Sequence, residues 1–460
     1  MKTKQEIMQE VVDAMTGDPI KDIEIIADIL EENQDHPEIE SIGFELLARI
    51  TDRIPKQAKK EMARIIEENH RAIEEQISQV EDLIEDEMYD QALEKIEKLF
   101  RTFELLQMFN EENIFHFYTF EDGLQESIYR VLHNIQTPTG NAPENYAKAY
   151  AVYGKVLLHL NRYDQAIEKY QQALRWNPMS ISSYLALCEI LKRQGKMDVL
   201  KEQLDLAFRY AYRKEDIGDI YCFLSSLYLE QEEYELAHNT AFFASFFVRK
   251  SKANKYMSRV KEACPYHLAD IEPGTLTKLF EDNKISKAPS EEMLRVMFSI
   301  ANYCESHNRL RECMFVWRAI HDLIEDQESS KRIDELENKL LEKFEEILND
   351  YMEHPCERKF NRILLEMHGL NVWVAQRNDS KDEYAIATKE DQTYFAAFTR
   401  KEMDPTLTNY KPVKVVVEQV VQWAYESQDE VVGIVFNPHE DGLTLETDEL
   451  SDFVQKDLMN

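Results

Sequence analysis

A seven-residue segment that occurs twice does most to limit what this chain can fold into. Tyr89-Asp90-Gln91-Ala92-Leu93-Glu94-Lys95 returns as Tyr163-Asp164-Gln165-Ala166-Ile167-Glu168-Lys169. Recurrence at a fixed interval implies an array of modules, each unable to bury its apolar face alone and each stacking on the next. The 460 residues include only 11 Gly and 13 Pro. Strand-and-turn folds need a turn signal roughly every 8–12 residues, so over most of this chain long helices with short connections fit better. At roughly 100–200 residues per domain, the length predicts two to four folding units.

The periodicity divides the chain into four regions. Residues 1–140 read as an acidic helical region of degenerate helical repeats. There, IKDIEIIADILEEN (20–33) and IGFELLARITDRI (42–54) place apolar residues three and four apart, and Gly17-Asp18-Pro19 and His36-Pro37 punctuate them. Residues 56–108 fit one long helix or two with a turn near Asp86. Thr137–Pro143 is a connector. Residues 144–250 carry the strongest repeat signal. Residues 251–353 hold degenerate helical repeats, among them a pair at 290–325, and a long helix. At Pro355 the texture changes: WVAQ, YAIAT, TYFAAFT and VVGIVFN are short runs rich in β-branched and aromatic residues. KVVVEQVVQWAYES (414–427) and TDELSDFVQKDL (447–458) read as helices between and after them. Residues 358–460 therefore predict a separate small α/β domain, with its boundary near 354–358.

The segment 147–178 resembles a tetratricopeptide (TPR) repeat. Tyr150, Tyr153, Gly154 and Leu157 take the large and small sites of its first helix. Ala166, Tyr170 and Ala173 take those of the second, and Pro178 closes it. A second copy has Tyr184, Leu187, Cys188, Leu191, Leu200, Leu204 and Ala207. A third has Tyr221, Leu224, Ser225, Tyr228, Ala237, Ala241 and Ala244, displaced by an insertion near 212–217. Ala92, and Ala301 with Cys313, mark degenerate candidates. The resemblance implies a mainly α fold, a TPR-like solenoid of antiparallel helix pairs, with a small α/β domain after it. It also implies a concave groove for a protein or peptide partner.

That resemblance assigns the groove to five positions of each first helix. They are Lys148, Ala151, Lys155, Leu158 and His159 in the first copy, and Ser182, Leu185, Glu189, Lys192 and Arg193 in the second. In the third they are Asp219, Cys222, Ser226, Leu229 and Glu230. Lys148, Lys155, Lys192 and Arg193 concentrate positive charge on one surface of a chain whose formal net charge is −34. An acidic partner segment or a C-terminal carboxylate is the expected ligand. The family's carboxylate-clamp pattern is incomplete, since Lys155 and Ala186 stand where it has asparagine.

VVGIVFNPHEDGLTLETDELSDF (431–453) resembles the N-terminal domain of the SseB, or enhanced-serine-sensitivity, family, through Gly433, Asn437, Pro438, Leu443 and Leu445, with Phe398-Thr399 upstream. The resemblance implies a module without established catalytic chemistry. Asn437-Pro438 reads as a turn. The charge disfavours nucleic acid as a partner. No run of apolar residues is long enough to span a membrane. The six cysteines form no CxxC pair and fit free thiols in a reducing cytoplasm. Phosphate-binding and hydrolase motifs are absent, no cofactor or metal set is evident, and His439-Glu440-Asp441 reads as solvated loop. A non-catalytic interaction scaffold is the leading expectation. The alternative is an enzyme or small-ligand sensor with a pocket on Asn437, Trp373 and Tyr394.

Overall fold

A computed structural model describes residues 2–16, 56–106, 117–135, 139–142, 145–268, 273–380, 383–389, 392–401, 407–427, 431–438, 442–447 and 449–450, with positions 25, 29, 33 and 42. The stretches 20–33 and 42–54, the punctuation at 17–19 and 36–37, the helix expected at 447–458 and the cluster 439–441 fall wholly or largely outside these residues. The chain is mainly α, TPR-like helix pairs followed by a small strand-containing module. It forms two compact units, Met1–Val296 and Met297–Asn460.

In the first unit, α1 (Lys4–Ala14) starts at a capping box in which Thr3 and Glu6 bond each other's backbone N–H groups. The pairs follow: α2 (Lys56–Glu85) with α3 (Tyr89–Leu106), α5 (Tyr146–His159) with α6 (Tyr163–Trp176), α7 (Ile181–Arg193) with α8 (Met197–Tyr210), and α9 (Lys214–Glu230) with α10 (Tyr234–Ala244). Helices α11 (Lys250–Ala263) and α12 (Pro273–Asp282) complete the unit. Of the two readings left open for 56–108, the structure takes the second: a turn at Asp86–Met88 separates α2 from α3.

One local device sets every pair. The last turn of the first helix closes with a six-to-one backbone bond: Met88 N to Leu83 O, Arg162 N to Leu157 O, Lys196 N to Leu191 O and Glu233 N to Tyr228 O, at 2.8–2.9 Å. Each closure has a residue in the left-handed region just before the donor: Glu87, Asn161, Gly195 and Glu232. This is a Schellman stop, and it reverses the chain within three residues. Opposite the turn, small side chains let the helices close. Ala92, Ala166 and Ala237 are fully buried, Cys188 Sγ lies 3.6 Å from Leu200 O, and Ser225 Oγ donates to Ala237 O at 2.8 Å.

Between the first two pairs the chain inserts β1 (Phe117–Tyr118), α4 (Gly123–Leu132) and β2 (Gly140–Asn141), with β1 parallel to β2. The connector expected at 137–143 thus contributes a strand. The insertion crosses the ends of the later pairs. Thr119 N donates to Trp176 O (2.9 Å), Asn177 donates to Gln125 (3.0 Å), and His133 meets the Tyr210 hydroxyl (3.0 Å). Arg213 forks onto Glu121 and Asp122, and Tyr212 also donates to Asp122 (3.0 Å).

The second unit begins within α13 (Glu291–Ser306) and continues with α14 (Leu310–Ile324), α15 (Gln327–Glu353) and α16 (Glu357–Met367). The α13–α14 turn repeats the device, with Asn308 left-handed and Arg309 N bonded to Cys304 O at 2.8 Å. The sheet has the order β6-β3-β5-β7-β8, with β4 also on β5. Its strands are β3 (Asn371–Arg377), β4 (Ile386–Lys389), β5 (Gln392–Phe398), β6 (Tyr410–Val416), β7 (Gly433–Phe436) and β8 (Thr444–Glu446). All pairings are antiparallel except β5–β7. The helix expected at 414–427 is shorter: 410–416 is strand β6 and α17 is Val417–Glu426. The β-branched run at its start pairs with Asn371–Trp373, a contact that helical periodicity cannot reveal.

Packing in this unit runs across Pro355. Phe344 of α15 meets Phe436 of β7 at 5.4 Å between ring centres. The buried Glu337 carboxylate accepts from Arg318 (2.9 Å), Asn371 (2.7 Å) and Lys414.

Candidate functional site

Within the first unit the first helices of successive pairs touch one another: α2 with α5, α5 with α7, α7 with α9, and α9 with α11. They therefore line the inner face of the stack, and that face carries the expected groove positions. Two neighbouring pairs supply equivalent sites one repeat apart, so His159 at the end of α5 and Arg193 at the end of α7 are neighbours.

Ion pairs between repeats cross the face. Lys148 lies 3.4 Å from Glu74 and 3.3 Å from Glu81 of α2. Burial works against its charge, but the two carboxylates outweigh it and hold the ammonium above the usual lysine range. Lys192 lies 2.7 Å from Glu189 and 2.8 Å from Glu230 of α9, and Arg193 Nε lies 3.0 Å from Glu189. Farther along, Asp219 of α9 is paired with Lys252 of α11. Most of the positive charge expected to face a ligand is thus answered by the protein's own carboxylates. Such partly exposed pairs contribute about 0–1 kcal/mol each.

Lys155 differs. It is exposed and, among the described residues, has no carboxylate partner. Four residues on, His159 stacks on Tyr89 with ring centres 4.6 Å apart and planes 8° apart. Burial lowers the imidazole's affinity for a proton, the charges of Lys155 and Arg193 lower it further, and Glu87 opposes them. The Tyr163 hydroxyl contacts Arg193 and raises its pKa, as does Glu189. Lys155 and Arg193 thus lie close enough to His159 to act on its charge, Lys155 being the one of the two cations with no carboxylate partner among the described residues, and Tyr89 and Tyr163 flank the group.

The remaining groove positions divide by burial. Ser182 is exposed, and Leu185 and Ser226 are half-buried. Ala151 and Leu158 are half-buried and pack against the Leu157, Ala166 and Tyr170 cluster. Cys222 is a correction. Its side chain is 2% exposed, and burial pushes the thiol up to about 11, so it is core of the fourth pair and offers nothing to a ligand. Sequence reasoning placed the cations but missed Glu74 and Glu81, because α2 carries too little of the repeat pattern to register them. It missed Tyr89 and Tyr163 because their role depends on adjacent turns.

In the second unit, Asn437 adopts a left-handed backbone (φ 48°) directly after β7. Its amide oxygen accepts from Thr399 N at 3.0 Å, and its amide nitrogen donates to Thr399 Oγ1 at 3.0 Å. The side chain ties the ends of the parallel strands β5 and β7 together, which is the turn role. Tyr394 donates to Gln392 (2.7 Å), and the Trp373 ring lies under Lys401 and Lys414 at 5.6 and 5.5 Å. These contacts assemble no common polar site from the three residues. Among the described residues no group of His, Cys, Asp or Glu could hold a metal, and no helix is long and apolar enough to cross a membrane.

No curated protein matches the chain. Among solved structures it is similar to one described as the APC/C hetero-tetramer Cut9-Hcn1, at 10% identity and a TM-score of 0.29, over 69% of this chain and 52% of that one. The chain thus spans about half the length of that relative. It is also similar to the C-terminal part of a TPR repeat-containing protein from Cytophaga hutchinsonii, at 12% identity and a TM-score of 0.22, over 72% of this chain and 99% of that one. Residues 154–195, the stretch from Gly154 through the third Schellman stop at Gly195, match the family model described as TPR repeat.

Proposed function

We propose that the protein is a non-catalytic scaffold that holds a protein or peptide partner on the inner face of α5, α7 and α9, and that an acidic segment of the partner anchors it. The observation that carries this reading is Lys155, an exposed cation with no carboxylate partner among the described residues, beside His159 and Arg193 on a face whose other lysines are already paired and where Arg193 is held by Glu189. Leu185, Ser182 and Ser226, farther along the same helices, offer apolar and small surface for the rest of a segment. The SseB-like module supplies a second contact in this reading, and the free thiols suit a reducing compartment such as the cytoplasm.

A photo-crosslinker at Ser182, on the inner face, is expected to capture the partner in cells. One at Gln171, exposed on the second helix of the same stack, is expected not to. Lys155→Glu with Arg193→Glu should abolish capture while leaving helical content and melting temperature unchanged. Equal capture from both crosslinker positions, or capture undiminished by the charge reversal at low salt, excludes the inner face as the site.

A further inference from the structure

We propose that Lys155, His159 and Arg193 form a receptor for a phosphoryl group borne on a side chain of the partner. The inference rests on the inner face being the partner's site, and it names the chemistry that site takes.

Three features of this face lead to it. The first is the exception that Lys155 makes. In a chain of net charge −34, Lys148, Lys192 and Lys252 on this face each have a carboxylate from a neighbouring repeat, and Lys155, among the described residues, does not. The second is convergence. Lys155 and His159 stand four apart on one helix face. Arg193 holds the position equivalent to His159 in the next repeat, and its charge and that of Lys155 reach the imidazole. The Tyr89 ring stacks on the imidazole from α3 and Glu189 holds Arg193, so the donors come from two repeats and two of the three are positioned by the protein itself.

The third is stoichiometry. A phosphate monoester carries about −1.5 to −2 charges and three acceptor oxygens, against one charge and two oxygens for a carboxylate. Three donor side chains, two of them charged at neutral pH, suit a group with three acceptor oxygens better than one with two, even with Arg193 Nε already on Glu189. The third donor titrates. The groups facing His159 are Lys155 on its own helix, Arg193 from α7, Glu87 from the α2–α3 turn and the Tyr89 ring. Burial weighs most and the two cations add to it against Glu87, so the free ring favours the neutral form. A bound dianion reverses that field, and the imidazole takes up a proton on binding. Affinity therefore rises as pH falls towards the imidazole's range.

The test uses the full chain with isotope-labelled histidine, the His159 resonance being assigned by its loss in His159→Gln. The probes are acetyl-Gly-phosphoSer-Gly-amide, the same peptide with Asp for phosphoserine, inorganic phosphate and acetate, titrated at low salt. The phosphopeptide is expected to raise the His159 pKa and to bind about tenfold or more tighter than the Asp peptide. Lys155→Gln and Arg193→Gln should each weaken it severalfold without unfolding the chain. Inorganic phosphate binding as tightly as the phosphopeptide would identify a free-anion site and overturn the partner side chain as its source. Equal responses to the Asp peptide and the phosphopeptide overturn the phosphoryl preference but leave the groove reading intact. No response of His159 to any probe overturns the receptor itself. Phosphopeptide binding here, combined with partner capture indifferent to the charge reversal, would sink the groove reading alone.

Discussion

Gly154 and the Tyr170 ring leave no room for a methyl group between them: a Cβ at 154 would lie 2.8 Å from the ring. Two effects of opposite sign meet there. Alanine in a helix interior is favoured over glycine by about 1 kcal/mol. Overpacking a close-packed contact costs about 1–3 kcal/mol. Tyr170 is 4% exposed and hemmed in by Leu157, Leu187 and Ile190, so it cannot swing aside and the clash wins. Gly154→Ala should therefore lower the melting temperature. In a Tyr170→Leu background, where the ring is gone, the same change should raise it. Ala166→Leu, at a fully buried site, has no such offset and should cost about 1–3 kcal/mol. Thermal unfolding of the cycle decides this: the same sign of effect in both backgrounds, or an unchanged melting temperature for Ala166→Leu, refutes the contact as the constraint on Gly154.

The start of α9 shows how an element can depend on pH. Burial pushes the Asp216 carboxyl up to about 7; Arg213 pulls it down, while Glu121, Asp219 and Glu215 push with burial. The unfolded value is about 3.9. The folded state thus binds this proton more tightly, and the stability so gained is fully present below the unfolded value and lost as pH rises through the folded one. Asp216→Asn should raise the melting temperature at about pH 8 and make little difference near pH 4. The reverse order would mean that Arg213 and the helix N-terminus dominate the site. Sequence made the neighbourhood visible only as an insertion near 212–217. What lands there, Glu121 and Asp122 from between β1 and α4, comes some ninety residues upstream and carries no repeat pattern. The same contrast holds elsewhere. The three helix pairs between Tyr146 and Ala244 were legible, because Ala166, Leu200 and Ala237 sit a fixed distance from their turns, whereas 56–108 read equally as one helix or two. The ion pairs from Lys148 to α2 and the strand at 410–416 depend on partners remote in the chain. The left-handed stops were half legible: Gly195 and Asn161 announce themselves, whereas Glu87 and Glu232 are residues no propensity would place there.

At the scale of the whole molecule, composition and packing mark different divisions. The change from helical to strand texture at Pro355 predicts that 358–460 folds alone. The contacts of the second unit predict that it does not fold well without α15. Phe436 is 1% exposed, and one of its neighbours is the Phe344 ring. The Lys414 ammonium finds its carboxylate on Glu337, which is otherwise buried between α14 and the sheet. Burial raises the Glu337 carboxyl, but bonds from Lys414, Arg318 and Asn371 outweigh it and leave it below the usual range. Its contribution is therefore present above the unfolded value and fades as pH falls through the folded one. A fragment 290–460, which keeps α13 whole, should give a dispersed amide spectrum and a single cooperative transition in urea. Fragment 358–460 lacks both Phe344 and Glu337, and removing a buried aromatic alone costs about 3–5 kcal/mol. It should be unfolded, or should melt at much lower urea. Glu337→Gln in the longer fragment should cost about 1–3 kcal/mol at neutral pH, since Arg318 and Lys414 lose a buried carboxylate but, at 38% and 30% exposed, keep some water, and should flatten the acid limb of the stability profile. Equal urea midpoints for the two fragments would show that α15 is dispensable and that the division lies at 354–358 after all.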